Sequence, residues 1–361
     1  RRWSLSSLSA LAPAPPRDTS AGPAHPAREE CAFWSRASVK ENAGGSVAHG
    51  SRAELHTFRN PSPPLRLDEG FAGGDYVRKS KDAPPPGVEL VVEALVKSKA
   101  WSDDALDVCS FRNNLNKLFG IFLDPSNAFV VDAALVDSTL CLDVVRTPEK
   151  SFDGAERFEY MGYRLETVCT TGEAGADATS EFCSVRLKEI AGLRVGLAAE
   201  QDAELPPEQG GGYVEIKSHV KPSHRGQERT LYRHKMPKWW LQASLGGAEC
   251  LALGARSKEG VLLELNLVPT ADVPRVCAAN GSGFSPELVL GRGAALLGHM
   301  RSEARKEGAG VTLRWEFVPG ERGGAGAEMR CKRVEGSTLA GRVRAAIRSA
   351  QGGAGAGAEA G

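Results

Sequence analysis

Strand-like and helix-like segments alternate from about residue 53 to residue 335, with no long linker between them. FVVDAALV, STLCLDVV and GVLLELNLVPTADV have strand patterns, whereas PKWWLQASLGG and GAALLGHMRSEARKEG have helical spacing. Elements of both kinds bury their apolar faces by packing helices against a sheet. The sequence therefore predicts an α/β (α+β) fold, a mixed β-sheet core flanked by helices, in a single domain over residues 53–335.

The two ends of the chain differ in composition from this central region. Residues 1–52 are rich in Ala, Pro, Ser and Gly and have few periodic apolar positions, which predicts a disordered leader. The first residues carry Arg and Ser without any acid, so a targeting segment is the alternative interpretation. Residues 336–361 are predicted to form a short helix and a low-complexity tail.

Composition excludes few classes of protein. The 361 residues are 41% hydrophobic and 25% charged, which is ordinary for a globular protein. The formal net charge is zero, so no overall positive charge marks a nucleic-acid binder, although a local basic groove stays open. No run of about 18 apolar residues occurs, which predicts no membrane span. The eight cysteines are scattered without metal-binding spacing and are interpreted as reduced thiols.

Acidic residues interrupt three segments that have strand-like patterns. Residues two apart on a strand share a face, so Glu215 and Lys217 of YVEIKS are expected together, as are Glu200 and Asp202 of AAEQDAEL. The segment GYRLE is interpreted as a third strand, which ends in Glu166. Clustered carboxylates need a compensating cation, and oxygen ligands suit Mg²⁺ or Mn²⁺. The pattern therefore predicts a metal site suited to phosphodiester hydrolysis.

A less specific interpretation stays open for the same residues. Most charged side chains are solvated, so Glu215 and Lys217 alone would fit an ordinary exposed strand face. The order Asp202, then Glu215-Ile216-Lys217, resembles the PD-(D/E)XK nuclease superfamily, but this short pattern has little specificity by itself.

Five motifs in order carry a more specific resemblance. They are Arg112 in SFRNNLNKL, Glu166 in GYRLE, Glu200 and Asp202 as Glu-x-Asp, Glu215 and Lys217 as Glu-apolar-Lys, and Lys238 with Gln242 in PKWWLQASLGG. Together they resemble the DXO family of decapping exoribonucleases, also called the Rai/Dom3 family. The resemblance runs from ELHTFRNPSPP to RWEFVPG, which is nearly all of the predicted domain.

The resemblance implies a metal-dependent hydrolase that acts on RNA 5′ ends in mRNA quality control. It implies decapping, pyrophosphate release from triphosphate RNA, removal of terminal NAD and 5′-to-3′ exoribonuclease activity. Two divalent ions, Mg²⁺ or Mn²⁺, are the implied cofactor. RNA 5′ ends are the implied partner, a larger 5′-to-3′ exoribonuclease is a candidate protein partner, and the implied location is the nucleus, the cytoplasm or both. The leader leaves organellar targeting as an alternative.

The resemblance also assigns roles to individual residues. It implies that the metal ligands are Glu166, Glu200, Asp202, Glu215 and the main-chain carbonyl of Ile216. It implies that Lys217 and Gln242 position the attacking water, and Glu215 and Asp202 complete the catalytic set. Arg112, Lys238 and Gln242 are expected to bind the substrate.

Two other functions stay open for this sequence. A PD-(D/E)XK nuclease acting on DNA would explain the acids, and a non-catalytic partner of a larger exoribonuclease would explain the family resemblance.

His219, His224 and His234 lie among basic residues after the Glu215 motif. Magnesium prefers oxygen ligands, so these are expected to be surface histidines, either solvated or near the RNA, rather than metal ligands. Trp239 and Trp240 could stack on bases, but at least one of the two is expected to lie in the core.

Overall fold

The computed structural model describes residues 1–11, 30–40, 45–80, 86–102, 106–145, 154–321 and 325–355. Its strands are β1 Arg2–Ser4, β2 Glu30–Arg36, β3 Val47–His49, β4 Leu65–Arg66, β5 Tyr76–Val77, β6 Val108–Phe111, β7 Phe129–Val136, β8 Thr139–Val145, β9 Ala176–Asp177, β10 Glu181–Ile190, β11 Leu193–Glu200, β12 Ala203–Glu204, β13 Tyr213–Val220, β14 Ala248–Arg256, β15 Val261–Pro269, β16 Thr312–Val318 and β17 Glu328–Arg333. Its α-helices are α1 Leu5–Ser9, α2 Glu89–Lys97, α3 Arg112–Gly120, α4 Ala155–Val168, α5 Arg225–Thr230, α6 Met236–Gly246, α7 Val273–Ala279, α8 Pro286–Glu307 and α9 Leu339–Gly355.

The strands form two main sheets. One contains ten strands in the order β1-β17-β16-β7-β8-β6-β11-β10-β2-β3, and the other contains five in the order β12-β13-β14-β15-β4. In the larger sheet β6 lies parallel to both β11 and β8, and in the smaller sheet β13 lies parallel to β14. These mixed sheets, with helices packed on them, confirm the α/β (α+β) class that the sequence predicts. Within the described residues, no helix is both long and apolar enough to cross a bilayer.

The chain passes from the larger sheet to the smaller one at the end of β11. β11 ends at Glu200, and β12 begins at Ala203 and pairs with β13 in an antiparallel ladder. Asp202 lies between the two strands. The acidic segment of the sequence is therefore located at the junction of the two sheets.

Part of the predicted leader belongs to the folded domain. β2 pairs with β10 and β3, and Trp34 on β2 is fully buried. β1 pairs with β17, and Leu8 is also fully buried. The prediction of disorder is wrong for residues 1–11, 30–40 and 45–52, because long-range strand pairing supplies a burial that local composition does not indicate. Residues 12–29 and 41–44 lie outside the described residues.

The segment that contains GYRLE is a helix rather than a strand. α4 buries Tyr160, Met161 and Leu165, which recur at helical spacing, and it carries Glu156 in its first turn. The prediction of a third acidic strand is therefore wrong. Alternating apolar and polar residues in this stretch satisfy both the strand period and the helix period, and the helix period is the one realised here.

The helix that carries the SFRNNLNKL motif begins at Arg112. Residues Val108–Phe111 form β6, which is inserted between β11 and β8, so its hydrogen bonds come from neighbouring strands. Residues 103–105 lie outside the described residues. The start of α3 is consequently fixed at the end of a buried strand, which places Arg112 at the first helical position.

The C-terminal helix is longer than the sequence predicts. α9 has 17 residues and packs against α2, and Leu339 and Val343 are buried in that contact. Arg342 pairs with Glu89 at 2.6 Å and also with Asp143. Packing and ion pairs thus extend order into the predicted low-complexity tail as far as Gly355, and residues 356–361 lie outside the described residues.

Two glycines on α8 offer a matched test of how this helix packs. A Cβ at Gly293 would lie 2.4 Å from the buried ring of Phe119 on α3, whereas a Cβ at Gly291 meets no atom within 4 Å. Gly293→Ala is expected to lower the free energy of unfolding by about 1–3 kcal/mol, since overpacking outweighs a helix-propensity gain of about 1 kcal/mol. Gly291→Ala should keep that gain. Urea unfolding of both variants measures the difference, and equal stability would contradict the close packing of α3 on α8.

Candidate active site

The buried carboxylate of Glu215 on β13 accepts contacts from three donor side chains. Its side chain is only 1% exposed, so the solvated-face interpretation is wrong for this residue. Arg112 donates from Nη1 to Glu215 Oε2 at 2.8 Å, and Lys217 forms an ion pair with Oε1. Gln242 donates from Nε2 to the same Oε1. The structure therefore brings together the acid, the amine, the amide and the guanidinium that the motifs predict.

These donors come from three elements of the fold. Lys217 shares a face of β13 with Glu215, because side chains on a strand alternate. Arg112 is the first residue of α3, directly after β6, and Gln242 lies on α6. Burial lowers the pKa of Arg112, but the carboxylates around it, Glu215 above all, more than offset this and raise the pKa above its usual value. The guanidinium is thus firmly charged in the site.

Asp202 is held against the same strand. Its Oδ2 accepts a hydrogen bond from the backbone N–H of Ile216 at 2.7 Å, and it lies 3.8 Å from Lys217 Nζ. Burial and then the charge of Glu215 raise the pKa of Asp202 to about 7. A backbone donor therefore fixes the orientation of this carboxylate, while its surroundings disfavour its charge.

Glu166 joins the group from α4, which packs against β13. Burial, followed by the charge of Asp202, raises the pKa of Glu166 well above its usual value. Three carboxylates, those of Glu166, Asp202 and Glu215, thus act on one another beside the two cations Arg112 and Lys217. The ionised cluster would carry an excess of negative charge in a buried place, which costs free energy unless a further cation offsets it.

Glu200 lies at the edge of this cluster. Its side chain is 39% exposed, and Lys79 pairs with it at 3.6 Å and with Glu181 at 3.3 Å. Asp202 instead contacts β13, as described above. Neither Lys79 nor Glu181 was singled out from the sequence, and no local pattern marks them, because the contact joins residues far apart in the chain.

Two further predicted or neighbouring residues make other contacts. Lys238 pairs with Asp124 at 2.6 Å rather than with the carboxylate cluster, so the structure does not bring it to the site, and its substrate role stays a prediction. Gln201 donates from Nε2 to Ser184 Oγ at 2.7 Å and to the carbonyl of Gly246 at 2.8 Å. Gln201 thereby ties the end of β11 to the end of α6, which carries Gln242.

The oxygen ligands of the cluster fit a divalent cation, although the side chains do not form a complete coordination site. Among the residues that the structure describes, no three His, Cys, Asp or Glu side chains converge as metal ligands. The Lys217 ammonium lies between Asp202 and Glu215. The set nevertheless consists of carboxylate oxygens with a net negative charge, which is what hard cations such as Mg²⁺ and Mn²⁺ bind. Which oxygens act as ligands stays a prediction.

Mixed sheets that present Asp202, Glu215 and Lys217 in this order define a PD-(D/E)XK-type nuclease. Residues 29–335 match the family described as RAI1 like PD-(D/E)XK nuclease. The chain belongs to this family, and the resemblance inferred from its motifs is confirmed.

Relatives of known sequence carry consistent names. The decapping and exoribonuclease protein of Xenopus laevis is 23% identical over 290 residues, which are 72% of this chain and 71% of that protein. The decapping and exoribonuclease protein of Homo sapiens is 25% identical over 238 residues, and the match spans 61% of this chain and 60% of that protein.

Solved structures support the fold over nearly the whole chain. Candida albicans Rai1, in complex with pU5-Mn²⁺, has a TM-score of 0.76 at 16% identity and covers 98% of this chain and 99% of that one. Scheffersomyces stipitis Rai1, in complex with (3′-NADP)⁺ and calcium ion, has a TM-score of 0.76 at 16% identity and covers 95% and 99%. The predicted nuclease fold is therefore confirmed.

Proposed function

We propose that this chain is a metal-dependent hydrolase of RNA 5′ ends, active in decapping, deNADding and pyrophosphate release, with 5′-to-3′ exoribonuclease activity. The observation that carries the proposal is the buried carboxylate of Glu215, held by Arg112, Lys217 and Gln242 beside the acid of Asp202. The names of the relatives support a role in RNA 5′-end quality control. The pU5 and (3′-NADP)⁺ ligands of the solved Rai1 structures support an RNA 5′ end as the substrate.

The proposal includes divalent cations at the carboxylate cluster. Glu166, Asp202 and Glu215 are proposed as their ligands, with Glu200 and the carbonyl of Ile216 completing the set for two Mg²⁺ or Mn²⁺ ions. When bound, such ions supply Lewis-acid activation of water and stabilise charge on the phosphate. The manganese and calcium ions of the related structures support divalent metal use, and the excess of buried negative charge supports it independently.

The roles of the remaining side chains follow from their donors. The Lys217 ammonium has three donors and no acceptor, so it can hold the oxygen of an attacking water while it contacts Glu215. Gln242 can orient the same water through its amide. Arg112 uses one nitrogen for Glu215, and its other donors suit phosphate oxygens in a planar, bidentate contact. Together these groups orient a water and a phosphorus atom for direct attack.

The test of this function offers a panel of matched RNAs to the purified chain. Triphosphate, monophosphate, unmethylated-cap, methylated-cap and NAD-capped RNAs are incubated with Mg²⁺ or Mn²⁺, and the released 5′ product is identified. Hydrolysis of at least one RNA, lost in EDTA, is the expected result. A single-stranded DNA of the same sequence serves as the control and should survive. Cleavage of the DNA at the same rate would favour a DNA nuclease instead.

Two wider predictions belong to the same proposal. A 5′-to-3′ exoribonuclease partner and action in the nucleus or cytoplasm are proposed from the family resemblance. Metal-dependent hydrolysis that appears only after addition of such an exoribonuclease would favour the non-catalytic partner role over an autonomous enzyme.

A further inference from the structure

The smaller sheet has a long edge that is mostly uncovered. β15 pairs with β14 on one side, from Leu262 to Pro269. On its other side β4 pairs only with Val261 and Leu262. Among the described residues, no strand pairs with the outer side of residues 263–269. A free edge of this kind presents a row of backbone donors and acceptors with which another strand can pair.

The side chains along this edge are mostly apolar. Residues 263–267 have the sequence LELNL, and Leu263 and Leu267 are each 40% exposed. The one charged residue in the stretch, Glu264, is paired with Lys221. Natural edge strands are usually protected from other chains by lysine, proline or inward-pointing charge. The stretch contains none of these, so it is suited to pairing with a further strand.

Neighbouring features limit the free stretch to about five residues. β4 occupies the outer side of Leu262, and a bulge follows it, since the ladder with β14 passes from Leu262 to Glu264. At the other end Pro269 has no backbone N–H to donate. Residues 263–267 therefore form a segment with the usual length of a β-strand.

The sequence of this segment is nearly palindromic about Leu265. Antiparallel pairing of two copies around a two-fold axis at Leu265 places this residue opposite its own copy. Leu263 then lies opposite Leu267 of the second copy, and Glu264 lies opposite Asn266 of the second copy. Leucine is matched with leucine and the acid with a neutral amide, so the segment is complementary to itself in both shape and charge.

The neighbouring registers are less favourable. A two-fold axis at Glu264 would place this acid opposite its own copy, and like charges directly opposite each other destabilise a ladder. An axis at Asn266 would place Glu264 opposite the apolar Val268, and Leu263 opposite Pro269. Only the axis at Leu265 keeps both proline and like charges out of the pairing.

We propose that the edge of β15 binds the same edge of a second copy of this chain, antiparallel about a two-fold axis at Leu265. The pairing joins two sheets of five strands into one continuous sheet. Such an isologous contact uses one surface twice and closes on itself. Five residue pairs make a small interface, below about 1,200 Å², so the expected dissociation constant is on the order of 10 µM.

The geometry of the pairing also places the two candidate active sites. The axis is perpendicular to the sheet, so Glu215 projects from the same face in both copies. β13 lies two strands from the edge, so the two β13 strands are five strand spacings apart, about 24 Å at 4.8 Å each. The inference does not rest on the proposed function, and its test needs no hydrolysis.

Sedimentation velocity of the purified full chain, at about 1 to 100 µM, measures the association over a range around the expected constant. The unaltered protein should change from monomer to dimer over this range. Leu267→Glu should weaken the dimer at least about 10-fold, because it places an unpaired charge in an apolar contact. Val39→Glu is the matched control, since Val39 is 55% exposed and follows β2 of the larger sheet. It should dimerise like the unaltered protein.

Charge changes at Asn266 test the register. Asn266 is exposed, so both of its variants should fold, which circular dichroism can verify. Asn266→Glu faces Glu264 of the second copy twice in the dimer and should weaken it about 2- to 30-fold, whereas Asn266→Lys should strengthen it by a similar factor. In about 1 M salt the two variants should approach each other, because salt screens exposed charges.

Each outcome supports or overturns the pairing. Dimers that Leu267→Glu disrupts and Val39→Glu retains would support it. Dimers of equal strength in Leu267→Glu and the unaltered protein would overturn it, as would an unaltered protein that stays monomeric at every concentration. Asn266→Glu and Asn266→Lys that change the dimer in the same direction would overturn the two-fold axis at Leu265.

Discussion

Replacing Lys217 with Ala is expected to lower kcat for 5′-end hydrolysis by roughly 10²–10³-fold, the usual effect of removing one preorganised donor from a reacting centre. Lys217 pairs with Glu215 and lies 3.8 Å from Asp202, so its loss removes the ammonium proposed to hold the attacking water. KM should change little, because Arg112 is retained for the phosphate. Steady-state hydrolysis of a triphosphate RNA measures both constants.

The matched control for this prediction is Lys332→Ala, whose lysine pairs with Glu316 away from the cluster. Glu215 keeps Arg112 and Gln242 as partners in Lys217→Ala, so the variant should fold, which circular dichroism can verify. Retention of more than half of the original kcat by folded Lys217→Ala would exclude Lys217 from the chemistry.

Manganese is expected to stabilise the unaltered protein against heat and to lose most of this effect in Asp202→Asn. A ligand that binds only the folded state at 100 times its Kd contributes about 2.7 kcal/mol. The cause is the excess of negative charge among Glu166, Asp202 and Glu215, which a divalent ion offsets. Thermal unfolding with Mn²⁺ or with EDTA measures the shift in Tm.

The same comparison has a second expected result in EDTA. The folded state raises the pKa of Asp202 to about 7, so it binds that proton more tightly than the unfolded state does. Ionisation of Asp202 therefore lowers stability as pH rises toward and through 7. Asp202→Asn removes this charge, and at pH 8 it should unfold at a higher temperature than the unaltered protein.

A surface aspartate provides the control for manganese. Asp272 is 44% exposed and pairs with Arg275 at 3.3 Å, so Asp272→Asn should keep the full Mn²⁺ shift. An equal Mn²⁺ shift in Asp202→Asn would place the bound ion elsewhere and contradict the proposed ligand set.

Local periodicity was sufficient to predict the strand that carries the central acid. Glu215 and Lys217 share a face because β13 is a regular strand, and the family order of motifs led to Arg112 and Gln242. Periodicity was insufficient for Glu166, since the same residues satisfy strand and helix spacing, and only packing of α4 against β13 decides between them.

Contacts between distant residues could not be predicted from the sequence. β2 is a short strand in a segment of low-complexity composition, and its stability comes from pairing with β10. Lys79 forms an ion pair with Glu200, which is distant in sequence, and Lys238 forms one with Asp124. Partner choice of this kind depends on tertiary packing, which neither residue spacing nor local charge specifies.

Release of the 5′ product from a labelled RNA by the unaltered protein and by Glu215→Gln, both in Mn²⁺, tests the central claim most directly. Gln keeps the size of the side chain but removes the charge that Arg112 and Lys217 contact. We expect product release by the unaltered protein, its loss in EDTA, and a rate at least roughly 100-fold lower in folded Glu215→Gln. Equal rates for the two proteins would contradict a hydrolytic site built on Glu215.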